Sequence, residues 1–244
     1  MGRKAGSNRL KREAAPRFYA FPRKKYTFVT RQEPGPHAAS LSYDPITLLR
    51  DVLRITRTKK EAASLLREGK MLVDGKARRN RGFPLGLMDV VELAGTGLVY
   101  RMLPRKGSVV HPFPIPESEK GTKVCRISSK STVRGGKTHL GTHDGRTFLV
   151  EDGTKYAPGD SLVVDLKTHG ITDSVAMKKG SLAIITGGKR LGRMGEIKEV
   201  IKGTFSSRAS VKVGFPDGEV ILPRDLVMPV GVQKPAVTIP VEAE

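Results

Sequence analysis

Beyond about residue 105 no stretch has apolar residues recurring at helical spacing, which limits that part of the chain to β architecture. Short runs such as Thr147–Val150 and Leu162–Leu166 are separated by Gly, Asp and Pro roughly every ten residues, a rhythm that suits small antiparallel barrels. A further unit begins near Met177, with strands predicted at Leu182–Ile185, Gly195–Val200, Ser210–Val213 and Val220–Leu222. After Gly231 the chain is rich in Pro and Val with acidic ends, and it reads as a flexible tail.

Helical signals are confined to the region before this. Asp44 followed by Pro45 suits an N-cap with proline at the first helical position, and Ile46, Leu49, Val52 and Leu53 then share one face. Thr58 and Glu61 form a capping-box pattern for a second helix ending near Gly69. Its apolar positions Ala62, Leu65 and Leu66 leave Lys59, Lys60 and Arg67 outward. Met71-Leu72-Val73 reads as a strand, Asp74-Gly75 as a hairpin turn and Asp89–Leu93 as the strand that closes the unit.

Charge narrows the function. The formal net charge is +20, and it is concentrated. Residues 1–31 hold ten basic residues and only Glu13; residues 54–81 hold ten against Glu61, Glu68 and Asp74. Together these two stretches carry +16, whereas residues 82–244 are close to balanced. Two dense basic patches on an ordinary body form an electrostatic footprint for a polyanion. Nucleic acid is the first candidate and an anionic membrane surface the rival. No run approaches the length needed to span a bilayer. The first 40 residues hold no apolar stretch of seven or more, so no secretory leader is expected. The single Cys125 rules out an internal disulfide and suits a cytoplasmic, reducing compartment; in its strand it reads as a small hydrophobe.

Residues 1–40 read as an extended arm, interrupted by Pro16, Pro22, Pro34 and Pro36. Five of the thirteen aromatics lie here, Phe18, Tyr19, Phe21, Tyr26 and Phe28, interleaved with cations. Rings and charges together suit base stacking with phosphate neutralisation, through Arg3, Lys4, Arg9, Lys11, Arg12, Arg17, Arg23, Lys24 and Lys25. The alternative is an arm that wraps its own domain with those rings.

Residues 44–93 resemble the small RNA-binding domain shared by bacterial small-subunit ribosomal protein four, tyrosyl-tRNA synthetases and many pseudouridine synthases. The likeness lies in the paired helices, Arg67-Glu68-Gly69-Lys70 and the Leu72-Val73-Asp74-Gly75-Lys76 hairpin. It implies RNA contacts at Arg57, Lys59, Lys60, Arg67, Lys76, Arg78 and Arg79, to which the neighbouring charge adds Arg81; the alternative is a solvated basic face. Gly180 to Ile197 looks like a KOW element of an SH3-like barrel, with Lys189, Arg190 and Arg193 on a loop whose glycines allow backbone to approach RNA closely. Gly187-Gly188-Lys189 is not a phosphate-binding P-loop, because Arg190 follows where Ser or Thr is required.

Asn8-Arg9-Leu10-Lys11-Arg12-Glu13-Ala14-Ala15-Pro16, Gly35-Pro36-His37, Phe83 to Val90, Thr142-His143-Asp144-Gly145-Arg146-Thr147 and Gly170-Ile171-Thr172-Asp173 follow one another in an order that resembles small-subunit ribosomal protein four in its archaeal and eukaryotic form. Beyond Gly231 the chain departs from the eukaryotic pattern, which points to an archaeal source. The resemblance implies a non-enzymatic constituent of the ribosome whose partners are small-subunit ribosomal RNA and neighbouring small-subunit proteins, with no cofactor, metal, membrane or small-molecule substrate. The fold expected is α+β and multidomain: a basic arm over 1–40, a two-helix-plus-hairpin RNA-binding domain over 41–104, a central small β domain over 105–176, a KOW SH3-like barrel over 177–230 and a flexible tail over 231–244.

Competing readings are weaker. Arg126 to Ser131 and His139-Leu140-Gly141-Thr142-His143 loosely echo the signatures of class I aminoacyl-tRNA synthetases, but in reversed order and without strand–helix alternation. His139 and His143 lack the partners a zinc site needs, and His143-Asp144 reads as a locally bonded turn. A pseudouridine synthase requires a catalytic Asp, which Gly192-Arg193-Met194-Gly195 does not supply. A transcription-elongation factor would not explain the basic arm.

Overall fold

Asp44 and Thr58 start the two helices through their capping chemistry. In the computed structural model, which describes residues 9–205 and 207–240, the Asp44 carboxylate accepts the Thr47 amide at 2.9 Å and opens α1 (Pro45–Thr47). The chain then widens into a π-turn over Leu48–Val52, where the Leu53 amide reaches back five residues to the Leu48 carbonyl. Ile46, Leu48 and Leu49 are all fully buried, so the widened turn adds Leu48 to the apolar face predicted from regular spacing. Helix α2 (Lys59–Arg67) carries the complete capping box and buries Ala62, Ala63 and Leu66.

The rest of the chain is β. Strands β1 (Leu10–Lys11) and β2 (Phe28–Val29) pair within the arm. A first sheet contains β3 (Met71–Val73), β4 (Lys76–Ala77), β5 (Val90–Leu93), β6 (Leu98–Arg105) and β7 (Ser108–Pro114), in the order β4-β3-β5-β6-β7. The central sheet contains β8 (Thr122–Thr132), β9 (Thr138–Thr142), β10 (Thr147–Val150), β11 (Ser161–Asp165) and β12 (Ile171–Val175), ordered β10-β9-β8-β11-β12. The third contains β13 (Leu182–Ile185), β14 (Met194–Ile201), β15 (Ser210–Phe215), β16 (Gly218–Pro223) and β17 (Val227–Gly231), ordered β16-β15-β14-β13-β17. Every pairing in these sheets is antiparallel.

The chain is thus mostly β with few helices, and three features correct the expectations from sequence. The first unit does not close at Leu93 or end at 104, because the β6–β7 hairpin stays in its sheet through Pro114. The three sheets do not have wholly separate cores: Met88 and Leu103 of the first, Val124 of the central, and Ile184, Met228 and Val230 of the third pack in one cluster. Into that cluster the tail inserts Val237 and Ile239, 3% and 7% exposed. Burying such side chains is worth roughly 1.5–3 kcal/mol each, so the described tail is docked rather than loose. Its anchor is polar as well: Glu119 accepts the Thr238 amide at 3.0 Å while holding the fully buried Arg101 at 2.8 Å.

Candidate nucleic-acid interface

The second helix and the hairpin after it form one basic face. The Glu61 amide donates to Thr58 Oγ1 at 3.2 Å, and the Glu61 carboxylate accepts the amides of Arg57 at 2.8 Å and Thr58 at 3.3 Å. Those amides hold the Glu61 pKa below the usual carboxylate range, the Arg57 amide most of all. At the other end Gly69 is left-handed (φ 72°), with Lys70 N–H bonded to the Leu65 carbonyl and Gly69 N–H to that of Leu66. This double closure turns the chain sharply into β3. Asp74 and Gly75 both have positive φ, 51° and 76°, as a tight two-residue hairpin turn requires.

Arg57, Lys59, Lys60, Arg67, Lys76, Arg79 and Arg81 are all exposed on this face. Arg78 is half-buried with its guanidinium 4.4 Å from the Phe83 ring centre. A polar groove of about 430 Å³, whose lining includes one carboxylate, Glu33, joins Lys59, Arg79 and Arg81 to Arg31 of the arm. Arg31 adds to the charge of the arm, yet no local motif marks it as a contact; only the tertiary fold brings it here. Asn80 fixes the junction by donating to Glu33 at 2.7 Å and accepting the Gly82 amide at 2.9 Å.

The arm itself corrects part of the sequence-based expectation. Tyr19 and Phe21 are each 4% exposed, and Tyr19 stacks on Tyr43 at 5.0 Å between ring centres. Phe18 packs edge-on against Tyr43, and Tyr26 lies beneath the Arg50 guanidinium at 4.2 Å. Of the five arm aromatics only Phe28 is exposed, with Arg9 at 5.7 Å from its ring. The rings therefore wrap the chain's own domain, and base stacking is left to Phe28. Arg12 leaves the set of RNA contacts: it is 4% exposed and donates to the carbonyls of Phe21 at 3.0 Å and Tyr19 at 3.3 Å. Arg9, Lys11, Arg17, Arg23, Lys24 and Lys25 remain on the surface, Lys25 within 3.5 Å of Asp51. Arg3 and Lys4 lie outside the described residues.

The third sheet contributes less than its glycine-rich loop suggested. Lys189 is exposed, but Arg193 pairs with Asp217, and Arg190 lies 4.9 Å from the Phe215 ring and 3.8 Å from Asp217. The close approach that needs glycine is internal at Gly192 (φ 83°), where a Cβ would lie 2.8 Å from the Pro104 carbonyl oxygen. Gly192→Ala should therefore lower stability by at least 1–2 kcal/mol, roughly the left-handed penalty alone, measured by denaturant unfolding. An unchanged midpoint would show that the loop can move off the first sheet.

Four sequence motifs converge on one buried ion cluster that joins the first and central sheets. Lys123, 1% exposed, lies 2.8 Å from Asp74, 2.6 Å from Asp89 and 3.0 Å from Asp144. Arg146 adds contacts at 2.6 Å to Asp74 and 3.1 Å to Asp144, and His37 of the arm lies 3.1 Å from Asp89. Burial opposes ionisation of Asp89 and Asp144, but the Lys123 charge overcomes it and holds both carboxyls well below their usual range. Burial likewise disfavours a charged Lys123, and the surrounding carboxylates reverse that and push its pKa well up. His143 is bonded across units: its Nδ1 accepts the Arg126 amide at 3.1 Å and its Nε2 donates to the Leu87 carbonyl at 3.2 Å. Burial pushes its pKa down to about 4. The turn reading of His143-Asp144 is therefore incomplete, and Lys123 had no sequence signal that set it apart. Cys125 is fully buried beside the cluster, as a small hydrophobe would be. Among the described residues no group of three His, Cys, Asp or Glu is arranged to hold a metal, and no helix is long and apolar enough to cross a membrane.

Comparison with known proteins places this architecture. The model of the ribosomal family S4e matches residues 96–171, and the RS4NT domain model matches residues 4–40. The chain is 36% identical to small ribosomal subunit protein eS4 of Desulfurococcus amylolyticus and 37% identical to that of Aeropyrum pernix, in each case over 98% of both chains. It is 33% identical to the same protein of Methanothermobacter thermautotrophicus over 97% of both. The crystal structure of 30S ribosomal protein S4e from Thermoplasma acidophilum superposes with a TM-score of 0.69 at 30% identity, covering 79% of this chain and 96% of that one. With identity at this level over nearly the whole length, the chain belongs to the ribosomal S4e family, that of small ribosomal subunit protein eS4.

Proposed function

We propose that the chain is a constituent of the small ribosomal subunit that grips small-subunit ribosomal RNA with the face built from the arm, α2 and the β3–β4 hairpin. As a member of a ribosomal protein family it is a structural protein and not an enzyme. In this reading residues 41–114 act as the helix-hairpin RNA-binding domain and the third sheet as a KOW-type barrel that packs against its neighbours. The observation that carries it is the convergence of exposed cations from three separate segments, Arg31, Lys59, Arg79 and Arg81, on one polar groove. Such a groove holds phosphates by charge and shape, with little reading of sequence.

The test is the salt dependence of binding to transcribed small-subunit ribosomal RNA. Arg79→Glu with Arg81→Glu should weaken binding and flatten the log–log slope by roughly 0.7–0.9 for each phosphate no longer neutralised. The same variant should leave the small subunit more readily when a lysate is fractionated at high salt. An unchanged slope and unchanged cosedimentation would show that this face meets solvent.

A further inference from the structure

The central sheet looks modest in charge when averaged, but its charge is not evenly placed. Between Glu119 and Asp144 the sequence has six Lys and Arg and no acidic residue. Four of the six are engaged within the protein: Lys120 pairs with Glu117 at 2.7 Å, Lys123 sits in the buried cluster, Arg126 donates to the Asp225 carbonyl and Lys130 donates to the Tyr156 carbonyl at 3.0 Å. The other two, Arg134 and Lys137, lie with Lys130 on the β8–β9 hairpin.

The distal part of that hairpin contributes little to any core. Residues 128–137 are all exposed. Strand β11 pairs with β8 only as far as Arg126, and the β8–β9 register shifts between Ile127 and Ser129, so a bulge redirects β8 as it leaves the buried sheet. Successive strand residues point to opposite faces, so the exposure of Ser128 through Thr132 means that neither face is packed into a core, although Lys130 reaches the Tyr156 carbonyl on one of them. The tip closes with Val133 N–H on the Lys137 carbonyl at 2.9 Å, over Gly135 and Gly136 at φ 86° and 76°. Among the described residues Arg134 has no ion-pair partner, and Lys137 has only the solvent-exposed Glu151 at 3.8 Å. The distal ribbon offers hydroxyls from Ser128, Ser129, Ser131 and Thr132 and one apolar side chain, Val133.

We propose that the β8–β9 hairpin is a second RNA contact, lying in the minor groove of a duplex, with Arg134 and Lys137 on phosphates and the Ser and Thr hydroxyls on ribose 2′-hydroxyls. It rests on the reading that the chain binds ribosomal RNA and adds a grip on a different sheet from β3–β4. The chemistry selects RNA over a protein partner, since protein interfaces are enriched in aromatics and depleted in Lys and Ser. The minor groove of A-form RNA is wide, shallow and lined with 2′-hydroxyls, which suits a flat polar ribbon.

The buried Cys125 makes a direct test practical, because its thiol is inaccessible and burial pushes its pKa up. Fe(II)-EDTA tethered to Ser131→Cys in the full chain, bound to transcribed small-subunit ribosomal RNA, should cleave both strands of one helix. Arg134→Ser with Lys137→Ser should lower the log–log salt slope by roughly 1.4–1.8 with unchanged thermal midpoint. Cleavage from a probe at Lys60→Cys but none from Ser131→Cys, or an unchanged slope, overturns the second contact and leaves the first standing. Protection of the Ser131→Cys thiol in the assembled subunit without RNA cleavage makes a protein the occupant and also overturns it. Absence of cleavage from both probes removes the RNA reading itself.

Discussion

Replacing Lys123 with methionine should lower the thermal midpoint by roughly 10 °C, from the two magnitudes that follow. Among the described residues Lys123 is the one cation in contact with all three buried carboxylates Asp74, Asp89 and Asp144. Methionine keeps the length of the side chain but leaves those charges with Arg146, His37 and a few amide and hydroxyl donors. Removing one partner from a buried ion group costs on the order of 3–5 kcal/mol, because the remaining charges stay desolvated. For a chain of this length each kcal/mol moves the midpoint by about 2–4 °C. Adding Asp89→Asn to Lys123→Met should recover part of the loss by removing one uncompensated charge. A midpoint within about 2 °C of the wild type for Lys123→Met alone would mean that water or salt reaches the carboxylates and that the cluster is not the joint between the sheets.

Acid should loosen the same joint in two stages. The His143 pKa lies at about 4, below the 6.5 of an ordinary imidazole, so the unfolded chain takes up a proton there before the folded chain does. Its contribution is constant above pH 6.5, declines as pH falls toward 4 and then levels off, a total on the order of 3 kcal/mol. Asp89 and Asp144 act lower. Their folded values are depressed from 3.8, so the stability they supply is complete above that value and is lost as pH falls beneath it. Unfolding free energy measured from about pH 7 to pH 3 should therefore fall with a slope of about one proton before it steepens. In His143→Gln, whose amide can still donate to Leu87, the first decline should shrink. If both proteins follow the same curve between pH 6.5 and 4, the His143 pKa is not lowered by folding.

The chain's local chemistry was readable to the residue in several places. Thr58 and Glu61 had to cap α2, and Asp74-Gly75 had to turn, because each depends on neighbours a few residues away. The run Leu182–Ile185 became β13 without change, and Thr147–Val150 became β10. The π-turn at Leu48–Val52 was hidden, because apolar spacing cannot distinguish a regular turn from one widened by a residue. The end of the first unit was misplaced because turn signals near residue 105 mark a hairpin as readily as a linker, and only strand pairing tells the two apart.

For the candidate site, sequence alone determined where the positive charge lies and which segments present it: the arm, α2 and the hairpin after it. It also placed His37, Asp89, Asp144 and Arg146 in ordered motifs without revealing that they meet. Tertiary structure decided which charges face outward. Arg12 and Lys123 have the same chemistry as their exposed neighbours, yet one is held by backbone carbonyls and the other by three carboxylates from distant segments. It likewise decided that Tyr19 and Phe21 pack inward and that the tail docks through Val237 and Ile239. The reason is physical: capping and turn energies depend on neighbours along the chain, whereas desolvation of a charge or a ring depends on everything the fold brings around it.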